Sequence, residues 1–136
     1  MREILFRGKR LDNGEWVNGF VLFNQDKTEA VIAKLTDTES VCENVDPATV
    51  GQFTGVCDKN GKEIYEGDVL DVLYNISIER ENVCVVFGDI EVETTPGFYF
   101  SDNGTTECDH TWDFREFLPD REVIGNIHDN PELLNQ

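Results

Sequence analysis

Cys108, Asp109 and His110 stand side by side, and His128-Asp129 follows further along the chain. Thiolate, imidazole and carboxylate are zinc-ligand types. A structural zinc site draws on paired, closely spaced ligands, and Cys108-Asp109-His110 supplies only half of one. Asp102-Asn103-Gly104-Thr105-Thr106-Glu107-Cys108-Asp109 offers oxygen ligands for calcium, but without the glycine and glutamate spacing of an EF-hand loop. No metal ligand set and no cofactor is therefore assigned. The chain holds no GxSxG elbow, phosphate loop, HExxH or GxGxxG. With 28 acidic residues some carboxylate pair always lies close, so their number says nothing about acid–base catalysis. Asp109-His110 and His128-Asp129 are neighbours in sequence, which does not make a hydrogen-bonded dyad. No catalytic residue is assigned.

The remaining recognition chemistry lies in aromatic rings and charge. Trp16, Phe98, Tyr99, Phe100 and Trp112 could stack on bases or grip an extended peptide. Base stacking normally comes with a basic groove. Here 136 residues carry 28 acidic and 11 basic side chains, a net charge of -17. That argues against unspecific nucleic-acid binding and against an anionic membrane surface. Peptide or protein recognition survives, with Phe98, Phe100 and Trp112 as candidate contacts. The charge is also uneven. Arg2, Arg7, Lys9 and Arg10 face a single Glu3 in the first ten residues, a net +3 that leaves -20 for the rest. These four cations are candidate docking residues for an acidic surface of the same subunit or of a neighbour.

The elements that must position these residues read as short strands. Apolar, β-branched and aromatic runs predict strands near 3–7, 15–23, 29–35, 41–45, 51–57, 68–74, 82–88, 90–94, 97–101 and 122–128. Asn13-Gly14 predicts a type I′ hairpin turn between the first two, because both central positions need positive φ. Asn18-Gly19 follows too closely for another tight turn and predicts a bulge or bend within 15–23. Asn60-Gly61 marks a polar turn. Asp46-Pro47 and Asn130-Pro131 each combine an N-cap with proline at the first position of a short helical turn. Residues 110–118 settle on no period and are read as a loop or short helix. Cys84, within Val83-Cys84-Val85-Val86-Phe87, reads as a small buried hydrophobe. No CxxC pair, signal-peptide core or membrane-length apolar run is visible, and a reducing cytoplasm is expected.

One block is more specific. Asp58-Lys59-Asn60-Gly61-Lys62-Glu63-Ile64-Tyr65-Glu66-Gly67-Asp68-Val69 resembles the YopX family, small proteins of unknown function encoded by phages and prophages. The opening Met1 to Arg7, the stretch Val50 to Gly55 and the closing Val123 to Leu134 extend the resemblance. It departs at Val56-Cys57, where a leucine is more usual, and at His128, where an aromatic is common. The resemblance implies a mainly β fold with a small barrel, a phage origin and expression inside a bacterial host, and it brings no catalytic residues. The central block has a physical reading of its own. Asn60-Gly61 turns the chain, Ile64 and Tyr65 anchor it, and Glu66-Gly67-Asp68 makes a corner before the next strand, so the block reads as a fold signature.

The expected fold is mainly β: an SH3-like barrel over 47–136, an N-terminal hairpin region over 1–46, and one or two short helical turns, together one domain. The expected function is a non-enzymatic interaction or assembly module in the host cytoplasm. It would form a homo-oligomer or bind a host or phage protein, with the basic N-terminal strand donated to a neighbour. An acidic decoy for a host nucleic-acid-handling protein is the alternative, and an uncharacterised enzyme the third.

Overall fold

The computed structural model describes residues 5–35, 38–74, 80–90, 93–101, 111–113 and 117–134. The fold is mainly β, with two 3-10 turns and no α-helix among the described residues. None of their helical segments is long and apolar enough to cross a membrane. The chain divides into two compact units, Met1–Gly55 and Val56–Gln136.

In the first unit, β1 (Phe6–Lys9), β2 (Trp16–Phe23), β3 (Ala30–Leu35) and β4 (Ser40–Val45) form consecutive antiparallel pairs, and β5 (Gly51–Cys57) adds to the other side of β1. β1 is thus an interior strand, hydrogen-bonded to β2 and β5. The basic strand is therefore not a free donor to a neighbour, because both of its edges are used within its own sheet. The hairpin is present, but its turn is wider than Asn13-Gly14 suggested. Lys9 pairs with Trp16, and the Arg10 amide donates to the Glu15 carbonyl at 2.9 Å. Only Gly14 of the pair takes positive φ, at 72°, and the Asn13 side chain accepts from the Glu15 amide instead.

The expected bend at Gly19 is present. β2 pairs with β1 through residues 16–19 and with β3 through residues 20–23. A Cβ on Gly19 would lie 2.4 Å from the Ala33 carbonyl oxygen, so the switch of partner requires a residue without a side chain. Ala30, Ile32 and Val45 form the core beneath, with Phe6, Val17, Val21 and Val50 packed on it. Burying an aliphatic side chain of this size contributes about 1.5–3 kcal/mol. Asp46 caps the turn Pro47–Thr49 by accepting from the Ala48 amide.

In the second unit, β7 (Asp68–Tyr74), β8 (Arg80–Ile90), β9 (Glu93–Ser101), β10 (Thr111–Asp113) and β11 (Phe117–Asn126) form an antiparallel sheet in the order β10-β9-β8-β7-β11. Val83 to Val86 are all buried, as befits a strand with neighbours on both sides. Cys84 is the buried hydrophobe expected, 1% exposed. Ile64, Leu70, Val72, Val83, Val85 and Phe100 make a wholly buried core.

Two expectations change. No closed barrel forms among the described residues. Strands after residue 50 divide between two sheets: β5 and β6 (Glu63–Tyr65) belong to the six-stranded sheet, while β7 to β11 make their own open one. In the 110–118 stretch, Thr111–Asp113 and the start of β11 are strand, because Thr111 and Trp112 pair with Ser101 and Phe100 of β9. His110 and residues 114–116 lie outside the described residues.

Candidate functional site

Directly opposed residues of an antiparallel ladder share a face. In β1 and β2, Arg7 opposes Asn18 and Lys9 opposes Trp16. Further along β2, Phe20 opposes Ala33 and Leu22 opposes Val31, and β3 continues the rows to Cys42 and Asn44 of β4. Val17, Val21, Ile32 and Val45 take the opposite face and supply the core. β2 is therefore apolar on both faces, and the outer one is open: Phe20 is 54% exposed and Leu22 is 60% exposed. Isolated exposed apolar residues are ordinary, whereas a contiguous group on adjoining strands marks an interaction surface.

Charge is sorted along this face. The rows made by Phe20, Ala33 and Cys42 and by Leu22, Val31 and Asn44 hold no carboxylate or cation, in a chain with 28 acidic residues. At one end the Arg7 guanidinium lies 4.6 Å from the Trp16 ring centroid and the Lys9 ammonium 5.9 Å from it. Such contacts contribute about 0.5–1 kcal/mol at exposed sites and hold both cations against the sheet. At the other end Glu29 stands opposite Asn24, whose side chain accepts from the Glu29 amide at 3.0 Å. A shallow depression there is lined by Leu22, Phe23, Asn24, Glu29, Ala30, Val31 and Asn44. In the adjoining turn, a hydrogen bond from the Thr28 hydroxyl at 2.7 Å holds the Asp26 carboxyl below the usual carboxylate range.

The other candidates fall differently. Arg10 donates twice to Asp12, at 3.0 and 2.6 Å, and reaches Glu43 at 3.3 Å, so its charge is engaged within the unit. Arg2 lies outside the described residues. Phe100 is wholly buried and serves as core, which removes it as a surface contact. Phe98 packs against that core and meets Phe87 edge-to-face at 4.9 Å. Trp112 lies on β10 opposite Phe100, and its side chain is outside the described set. Cys108, Asp109 and His110 also lie outside it, while His128 is exposed near Gly67. No group of three metal-ligating side chains occurs among the described residues.

Phe20 and Leu22 are not among the candidates that the sequence singles out. The signal was available in Val17, Phe20, Val21 and Leu22, apolar residues at both parities of a strand in a sheet that needs only one buried face.

The motif blocks of the second unit do structural work. Asp58 accepts from the Asn60 and Lys62 amides through Oδ1, both at 2.9 Å, and from the Val123 amide through Oδ2 at 3.0 Å. Burial alone would raise its carboxyl. The amides of Val123, Lys62 and Asn60 outweigh that and hold it below the ordinary value. Asp68, 1% exposed, accepts from the Tyr65 amide at 2.8 Å. Gly61 and Gly67 take positive φ at the two corners, 83° and 94°. In the closing block the Asn126 side chain accepts from the amides of His128 and Asp129, and the Asn130 side chain accepts from the Asn126 amide. A Cβ on Gly125 would lie 2.5 Å from the Asn130 side-chain oxygen.

The protein is thus mainly β and built of two units, and its motif carboxylates Asp58 and Asp68 are turned onto its own backbone. The YopX protein family model matches residues 5–135, and the chain belongs to the YopX family. The crystal structure of protein EF1440 from Enterococcus faecalis is similar over 98% of this chain and 99% of that one, with 24% sequence identity and a TM-score of 0.57. That likeness is one of fold. No curated protein matches the chain.

Proposed function

We propose that this chain is a non-enzymatic protein-interaction module of phage or prophage origin, acting in the cytoplasm of a bacterial host. The observation that carries the reading is the outer face of β2–β3–β4. It is apolar, exposed at Phe20 and Leu22, and free of carboxylates along its rows in a chain of net charge -17. Leaving such a face in water forgoes the stabilisation that burial gives, which a bound partner recovers. An acidic decoy is supported less. Asp12, Asp58 and Asp68 are engaged with a cation or amides of this chain rather than arrayed like phosphates.

Cross-linking in host lysate tests the reading. Wild type is expected to yield discrete cross-linked complexes that Leu22→Asp loses while remaining folded. Identical complexes from both proteins would contradict it.

A further inference from the structure

We infer that the occupant of the outer β2–β3–β4 face is a second copy of this chain, docked face to face about a two-fold axis. This rests on reading that face as an interface. The sorting of charge along it points to the occupant. Arg7 and Lys9 lie at the Trp16 end of β2, Glu29 lies at the Leu22 end, and the rows between are uncharged. A two-fold axis lying in the plane of the contact and running across β2 lays β2 of one copy antiparallel over β2 of the other. The apolar patch of Phe20, Leu22 and Val31 then lies on the same patch of the partner, and each cationic end faces the partner's Glu29 end. An isologous contact must be self-complementary, and opposite charges at the two ends of an apolar patch meet that condition. A foreign partner would have to carry the same pattern in reverse, whereas a second copy carries it by construction. Two bodies at -17 repel at long range, so the contact has to be made by this locally cationic and apolar patch rather than by the acidic remainder.

The arrangement also gives the basic N-terminal residues their role. β1 stays inside its own sheet, while Arg7 and Lys9 reach a neighbour's carboxylate from its surface.

Sedimentation equilibrium of the purified full chain at micromolar concentration and physiological salt is the test. A dimer is expected. Leu22→Asp, which places two carboxylates in the middle of the contact, should weaken it about a hundredfold or more, and Phe20→Ser should act in the same direction. Lys9→Glu and Glu29→Lys should each weaken it about tenfold, and the two together in one chain should restore it. Thermal melts of each variant separate loss of contact from loss of fold, and Phe20→Ser replaces Leu22→Asp if the latter unfolds. A strictly monomeric wild type, a dimer indifferent to both apolar substitutions, or a double reversal no better than the singles would overturn the inference. A monomeric wild type whose lysate complexes still vanish with Leu22→Asp would remove the second copy and leave the interaction reading standing. Loss of neither dimer nor lysate complexes would remove both.

Discussion

The two units treat polar and apolar groups in opposite ways. In the second, the carboxylates of Asp58 and Asp68 are drawn in and spent on backbone amides, and the apolar core reaches full burial at Ile64, Leu70, Val72 and Phe100. In the first, a strand carries more apolar surface than one core can take, and Phe20 and Leu22 remain in water. The motif residues that make the family recognisable therefore maintain the fold. The surface best suited to recognition lies in residues 16–44, the part of the sequence with the weakest signature. A motif can be specific because it solves a backbone problem, and chemistry need not follow from it.

That contrast can be broken at several points. The largest effect is expected at the Asp58 clamp. Asp58→Ala strands three amides that the carboxylate now satisfies and should cost about 3 kcal/mol, read as a lower urea midpoint. Gly19→Ala comes next. Its Cβ would press on the Ala33 carbonyl oxygen, which cannot swing aside as a side chain could, and a loss of about 2 kcal/mol is expected. Acid should produce a smaller change in the same second unit. The Asp58 carboxyl is held below its ordinary value in the folded state. Its contribution is full above the ordinary carboxylate range, about pH 4, and is lost as the pH falls through that range toward the lowered value. Asp58→Asn should show a flatter decline in melting temperature below about pH 4, and an unchanged slope would assign the acid sensitivity elsewhere. The smallest effect on stability is expected on the open face, where Phe20→Ser, melted at a dilution that leaves both proteins monomeric, should stay within about 0.5 kcal/mol of wild type. A large loss there would mean that Phe20 belongs to the core after all.

Much of this was legible from local chemistry. Asn60-Gly61, Glu66-Gly67-Asp68, Asp46-Pro47 and Asn130-Pro131 each declare a turn through residues with few alternatives, and each turn is found. Cys84 was recognisable because its apolar neighbours extend on both sides. What failed was non-local. No spacing rule says that β5 and β6 join one sheet while β7 to β11 build another, since that depends on pairing across many residues. Phe100 and Phe98 looked equivalent by alternation, and depth in the sheet makes Phe100 fully buried and Phe98 only partly so. Arg10 looked like its basic neighbours until the turn brought Asp12 against it. The open face needed register: Phe20 and Leu22 become a patch only when β3 sets Ala33 and Val31 beside them.

For a partner copy covering the outer β2–β3–β4 face, the chain carries its own probe. Cys42 lies on that face opposite Ala33, and Cys57 is exposed off it at the end of β5. Alkylation rates of the two thiols, resolved by peptide mass spectrometry across a range of protein concentrations, measure the covering directly. Cys42 labelling should slow as the concentration rises while Cys57 labelling stays constant. Rates that remain constant for both thiols, or fall together, would mean that no partner copy covers this face.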